Sequence, residues 1–381
     1  MSTELSICMI SDDFLPAMTG VGTHLKIIAP ELVRRGHKVA VITTRRKGEA
    51  EVEEWDGVTI YRVFTLKAYG FYQALPSGRT IRRILDSAKP DLVHHHYVGY
   101  MMMRVCGIAE FLQLPQISTY HFSSDVLTQP LPMRPFAGLI RHRLVSYNNR
   151  FDLIIAPSQN LAQQIAKEGV LSPLRYITNP VVFDDSAHVV PAERTPAFTV
   201  LYAGRLGQEK NVGYLIKAFA ALLKSVPDAV LWVAGKGPEG PALESLCAQL
   251  GVSEKVKFLG FLAHPTLARY YAACDLFVLP SLVETQGLVA MEAMRFARPV
   301  IVTKAIVSAT ELVEHGVNGY IVDPDSVDDL THRLREMAAE PATRSAMGEA
   351  SRLRADAYRP QLVVDATETA YRDLLAAGRH G

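Results

Sequence analysis

Short apolar runs alternate with amphipathic helical segments along almost the whole 381-residue chain, and this alternation constrains the fold more than any other feature. In the first half Leu5–Ser11, His37–Thr43, Leu92–His95, Gln116–Tyr120 and Leu153–Pro157 read as strands, with a helix from about Thr23 to Arg35 after the first. Near-continuous apolar runs mark strands buried on both faces, and the helical segments supply the crossovers that parallel strands require. A polar stretch from Asp184 to Pro196, with two prolines and no period, reads as a linker. The alternation then restarts, with strands at Thr199–Ala203, Val230–Ala234, Val256–Leu259, Leu276–Leu279, Pro299–Val302 and Gly319–Val322 and helices such as Gly213–Ser225 and Pro241–Leu250. A chain of this length is expected to form two domains, 1–184 and 185–360, followed by a helix in 361–381 whose pattern does not say which domain it covers. Open parallel sheets bind ligands at the carboxyl ends of their strands, so an α/β protein with two facing sheets is expected to work in the cleft between them.

Composition narrows the function classes. Hydrophobic residues make up 49% and charged residues 21%, the balance of a compact globular protein rather than a disordered one. Residues 1–180 hold 20 basic against 15 acidic side chains (+5), the remainder 20 against 24 (−4). Such a diffuse surplus is far from the clustered charge of a nucleic-acid binder, so no nucleic-acid partner is expected. The four cysteines form no CxxC or CxxH pair, which argues against a zinc site or disulfide framework and favours a reducing cytoplasm. Neither a signal peptide nor a membrane-spanning run is expected from the pattern.

The densest chemistry lies in Leu279-Pro-Ser-Leu-Val-Glu284-Thr-Gln-Gly287-Leu-Val-Ala-Met-Glu292, where a strand ends, a glycine turn follows and a helix begins. Eight residues at about 100° each leave Glu284 and Glu292 about 80° apart, so they do not share one helix face. Glu284 belongs to the loop, and the amides near Gly287, Leu288 and Val289 are unpaired donors at a helix start, suited to a diphosphate. Glu292, one to two turns in, is placed to reach ribose hydroxyls, although alone it would read as a solvated helix residue.

Glu284 and Glu292 resemble the Glu-x7-Glu motif of the retaining GT-B glycosyltransferases of family 4, and the resemblance extends over nearly the whole chain. Gly204-Arg205-Leu206-Gly-Gln-Glu209-Lys210-Asn211 resembles the family's Gly-Arg-Leu…Glu-Lys segment. Val233-Ala-Gly235-Lys-Gly237-Pro238 resembles its second-domain glycine turn, and Val256–Phe261 and Asn318–Pro324 match further blocks. The resemblance implies two Rossmann-like domains, a hexosyl transfer from a nucleotide-diphosphate sugar (UDP favoured) with retention of configuration, and Arg205 and Lys210 as cations for the departing diphosphate. It implies Glu284 at the donor sugar and Glu292 at the ribose, with no cofactor or metal. Departures are Ala297 where the family often has glycine, and Ile306–Glu311 without the family's paired glycines, which leaves the geometry of that loop open.

In the first half Thr19-Gly20-Val21-Gly22-Thr23-His24 follows a strand and opens a helix, so Gly20 and Gly22 allow close approach of phosphate. It resembles the family's N-terminal glycine loop; a plain tight turn is the alternative. Gly235-Lys-Gly237-Pro-Glu-Gly240 imitates a dinucleotide fingerprint, but the following strand ends in Gly260-Phe261 without an acidic residue, so NAD is not expected. His121 ends a strand where the family places a histidine near the donor sugar and acceptor. The triple His94-His95-His96 also ends a strand, yet neighbours in a strand face opposite ways, so no metal is expected there. Residues 133–150 carry Arg134, Arg141, His142, Arg143 and Arg150 among apolar residues and read as a basic amphipathic helix suited to an anionic membrane. A membrane lipid such as diacylglycerol is therefore favoured as acceptor, with a peripheral place on the inner face of the membrane. A soluble molecule or polysaccharide intermediate is the alternative, and a non-catalytic sugar-nucleotide-binding protein the second class.

Overall fold

The computed structural model describes residues 4–16, 20–68, 71–96, 99–121, 137–181, 189–193 and 197–378. The chain divides into two compact units, one of Met1–Pro180 with Pro360–Gly381, the other of Val181–Arg359. The expected boundary at 184/185, and most of the expected linker, lie outside the described residues.

In the first unit the strands are β1 (Ser6–Ile10), β2 (Lys38–Thr44), β3 (Val52–Trp55), β4 (Val58–Val63), β5 (Thr65–Ala68), β6 (Phe71–Ala74), β7 (Leu92–His95), β8 (Gln116–Thr119), β9 (Leu153–Ala156) and β10 (Leu174–Tyr176). The helices are α1 (Gly20–Arg34), α2 (Gly78–Ala88), α3 (Tyr100–Phe111), α4 (Ala137–Asn148) and α5 (Gln159–Lys167). The main sheet runs β10-β9-β8-β7-β1-β2-β4-β3 and is parallel except for the β3–β4 pair, while β5 and β6 form a separate hairpin. Alternate residues of β1 explain why its run from Ile7 to Ile10 is continuously apolar. Ile7 and Met9 enter a core with Leu25, Ile28 and Leu32 of α1, whereas Cys8 and Ile10 enter one with Ile81, Ile84, Leu85 and Val105 of α2 and α3.

The second unit contains β11 (Thr199–Ala203), α6 (Val212–Leu222), β12 (Val230–Ala234), α7 (Gly240–Gln249), β13 (Val256–Gly260), α8 (His264–Ala273) and β14 (Leu276–Leu279). Then come α9 (Leu288–Arg295), β15 (Val300–Thr303), α10 (Ala309–Leu312), β16 (Gly319–Val322), α11 (Val327–Ala339) and α12 (Pro341–Ala355). Its sheet is parallel, in the order β13-β12-β11-β14-β15-β16. The last helix, α13 (Pro360–Ala377), returns to the first unit. Its stripe Val363, Val364, Ala370 and Tyr371 joins the α1 core, and Arg35 of the first unit pairs with Asp365 at 2.5 Å and Glu368 at 3.3 Å. Burial of that stripe, which recurs at helical spacing, decides a placement the sequence pattern left open.

Each sheet has a switch point, where strands on either side of a central one are reached by crossovers in opposite directions. It lies between β7 and β1 in the first unit and between β11 and β14 in the second. The loops leaving those strands carry almost all the residues singled out above.

Candidate active site

In the second unit the loop after β11 packs against the loop after β12. The amide of Gly204 donates to Ala234 O at 2.9 Å, that of Leu206 to Lys236 O at 3.1 Å, and that of Glu239 to Leu206 O at 3.0 Å. This closeness demands glycine. A Cβ on Gly235, at φ +147°, would stand 1.8 Å from Gly204 O, and one on Gly237 would stand 2.3 Å from Leu206 O. Two glycines of the fingerprint-like stretch, Gly235 and the candidate phosphate-binding Gly237, are thus required by backbone packing.

The packed loop presents a short 3₁₀ turn, Gln208–Lys210, tied to the end of β14 by the Leu282 amide donating to Glu209 O at 2.8 Å. This brings the Lys210 ammonium to 2.5 Å from a Glu284 carboxylate oxygen, both side chains about four-fifths buried. Arg205 turns elsewhere: its guanidinium is 2.6 Å from Glu209 and 60% exposed. The two cations expected to stand together therefore each hold a carboxylate, because Glu209, inside the same turn, competes for Arg205 at i+4.

Glu284 sits in the loop, where its backbone bridges to Ile306 and its carbonyl accepts from the Val307 amide at 3.0 Å. Ser308 Oγ donates to Gln286 O at 3.0 Å. Strand-like pairing and a serine hydroxyl hold the loop that lacks the paired glycines. Gly287 is left-handed at φ +74°, and a Cβ there would lie 2.9 Å from Leu279 Cδ2. It is the N-cap of α9, so it offers no capping side chain, and the amides of Leu288 and Val289 have no carbonyl a turn earlier. Ala297 beyond α9 keeps the left-handed conformation of a glycine, at φ +54°.

Glu292 lies within α9, 14% exposed. Tyr271 Oη of α8 donates to its Oε2 at 2.8 Å, and His264 Nε2 lies 3.7 Å from Oε1. Burial and the Glu292 charge push the Tyr271 phenol well above its ordinary pKa, so it remains a donor. The residues that orient Glu292 were not found in the sequence, where Tyr271 reads as one aromatic of an ordinary helix.

In the first unit β7 and β8 end in a histidine cluster. His94 is satisfied on both sides, with Nδ1 at 2.6 Å from Tyr371 Oη and Nε2 at 2.8 Å from Thr119 Oγ1. His95 faces the other way, toward Gln116 at 3.0 Å and the Phe151 ring. His96 shares the His94 side, and its Nδ1 lies 3.2 Å from His121 Nε2. The His24 ring, one turn into α1, meets that of His121 edge-on at 4.8 Å between centroids. Alternation separates His95 from its neighbours, as the pattern implies, but it does not keep His96 from His121 and His24. Burial lowers all five pKa values, those of His24 and His95 to about 4 and those of His94, His96 and His121 well below the ordinary value. Gly20 and Gly22 begin α1 ahead of His24. At the end of β1, burial raises the Asp12 carboxyl to about 7 and Asp13 to about 6.

The basic segment is described from Ala137 only; Met133 to Phe136 lie outside the described residues. From there it is helical, but polar and apolar residues are not segregated: four residues apart, Leu139 and Arg143 stand about 40° from each other, and both are exposed. Arg150 is held by Glu110 at 2.5 Å. The expected amphipathic helix is a mixed surface. Among the described residues no helix is long and apolar enough to cross a membrane.

Comparison with known proteins agrees with this geometry. Residues 18–185 match the family described as "Glycosyltransferase Family 4" and residues 184–354 that described as "Glycosyl transferases group 1". The chain belongs to glycosyltransferase family 4. It is 26% identical to the alpha-monoglucosyldiacylglycerol synthase of Acholeplasma laidlawii, over 97% of this chain and 98% of that one. It is 25% identical to the enzyme of the same name from Streptococcus pneumoniae, over 88% and 83%. Its fold is that of GT-B glycosyltransferases. The structure of Anabaena HepE in complex with UDP-glucose superposes with a TM-score of 0.76 at 20% identity, over 97% of this chain and all of that one.

Proposed function

We propose that this glycosyltransferase transfers a hexose from a UDP-sugar to the hydroxyl of a membrane lipid with retention of anomeric configuration. The observation that carries the donor half is the Lys210–Glu284 pair at the switch point beside the open amides of α9. In this reading the diphosphate binds those amides and Lys210, while the Glu284 oxygen not nearest Lys210 holds donor-sugar hydroxyls. Glu292, oriented by Tyr271, accepts from the ribose diol. As the bond between the sugar C1 and the β-phosphate oxygen breaks, charge grows on the departing UDP. Lys210, the α9 amides and Arg205, once released by Glu209, stabilise it without a divalent metal. The acceptor oxygen bonds to C1 on the face UDP leaves, and its proton passes to the departing phosphate. His121 contacts the sugar near the acceptor, and Gly20 and Gly22 let α1 approach the phosphate.

The choice of lipid rests on the two diacylglycerol-named relatives and on Leu139 beside the exposed His142 and Arg143; the choice of UDP follows the Anabaena neighbour. A thermal-shift panel of UDP, GDP and ADP tests the donor site, since a ligand that binds only the folded state raises its stability. UDP alone should stabilise the wild type, and Glu292→Ala should abolish the shift; no response to any nucleotide would refute the donor site. Flotation with anionic vesicles tests the lipid half, and protein left entirely unbound would refute it.

A further inference from the structure

The histidine cluster of the first unit holds more ligating capacity than sugar contact requires. His24, His96 and His121 each place a ring nitrogen within 4.8 Å of the other two, from three separate elements: α1, the end of β7 and the end of β8. His96 Nδ1 and His121 Nε2, joined by a hydrogen bond, are 3.2 Å apart. Two nitrogens bound to zinc at about 2.0–2.1 Å in tetrahedral geometry stand about 3.3–3.4 Å apart, so this pair already has the separation of two ligands. His96 Nε2 is buried without a hydrogen-bond partner.

Asn179 lies beside His24, whose two ring nitrogens are buried without a hydrogen-bond partner. The ring of His94, fixed on both sides by Tyr371 and Thr119, packs 3.9 Å from that of His96. His24 and His96 are buried, whereas His121 is partly exposed, which leaves one side for a fourth ligand from solvent.

We propose that His24, His96 and His121 form a site for a divalent transition metal of the zinc class, with water as fourth ligand. The metal is an occupant rather than a cofactor. On the reading that gives His121 a contact with the donor sugar, occupation withdraws that imidazole and micromolar zinc inhibits transfer.

The test does not depend on activity. Tag-free, chelator-treated protein is titrated with cobalt(II) chloride while the visible ligand-field bands are followed, then back-titrated with zinc. One equivalent should bind with the intense bands of a tetrahedral site, and zinc should displace it. His121→Ala should weaken binding by more than the about 10- to 100-fold that loss of an outer-shell partner costs, and surface His142→Ala should bind like the wild type. Should His121→Ala not fold, X-ray absorption of the zinc-loaded wild type decides, three imidazoles per zinc supporting the site and fewer overturning it. Weak octahedral bands in the wild type, or equal binding by a folded His121→Ala, would overturn it as well. Zinc binding without inhibition would leave the site standing and count against the role given to His121.

Discussion

Substituting Gly235 by alanine isolates the claim that the glycines after β12 exist for the packing of two loops. The added Cβ would stand 1.8 Å from Gly204 O, where real Cβ atoms keep at least 3.0 Å, so one loop must retreat by about 1.2 Å. That movement disturbs two backbone hydrogen bonds, Gly204 N to Ala234 O at 2.9 Å and Gly235 N to Gly260 O at 2.8 Å, each contributing about 1 kcal/mol. A side chain at φ +147° adds about 1–3 kcal/mol of strain and the steric clash about as much again. The total is about 5 kcal/mol. In a unit of this size each kcal/mol lowers Tm by about 2–4 °C, so a fall of at least about 10 °C is expected. The two tryptophans separate the units: Trp55 lies in the first and Trp232, on β12, in the second. Melts of Gly235→Ala in a Trp55→Phe background should show the loss, while those in a Trp232→Phe background should leave the Trp55 transition in place. A second-unit Tm within about 3 °C of the parent would refute the packing argument.

Acid should weaken the first unit through its buried histidines. His24 and His95 titrate near 6.5 when unfolded but only near 4 when folded, so between these values the unfolded chain binds protons that the native state refuses, and stability is lost as pH falls. From pH 7 to 5 each costs about 2 kcal/mol, so the stability advantage of wild type over His95→Asn should narrow by that amount in urea titrations followed at Trp55; a constant gap would contradict the depressed pKa. Asp12 and Asp13, raised, act in the opposite direction and cancel from this comparison. Ala297→Gly should stabilise the second unit by about 0.5–1 kcal/mol, since alanine there holds a left-handed backbone at φ +54°, and an unchanged Trp232 melt would show the strain to be absent. Tyr271→Phe removes the hydrogen bond that orients Glu292, so UDP affinity by calorimetry should fall about tenfold, roughly 1.4 kcal/mol; equal affinity would mean that Glu292 needs no such partner.

Parallel strands were legible because burial on both faces writes a continuous apolar run, as at Thr199–Ala203 and Leu276–Leu279. The β3–β4 hairpin escaped because only one face is buried and the run is broken by charge, although Asp56-Gly57, both left-handed, is a hairpin-turn signal between Val52–Trp55 and Val58–Val63. In the site, Glu284 and Lys210 could each be singled out from the family resemblance, though not their pairing with one another. The pairing of Arg205 with Glu209 could not, because it depends on which carboxylate a 3₁₀ turn puts in reach. His24 stood in plain view beside Gly22, but its meeting with His96 and His121 follows from strand order, which a local pattern does not contain.

The most direct test of the proposed chemistry is the anomeric configuration of the product. Purified protein, UDP-α-glucose and vesicles containing diacylglycerol are incubated, and the C1 proton coupling of the extracted lipid is read by NMR. The small coupling of an α-glucoside, lost in Lys210→Ala and Glu284→Gln, is the result the proposal predicts. A β-glucoside, or turnover indifferent to both substitutions, would contradict it.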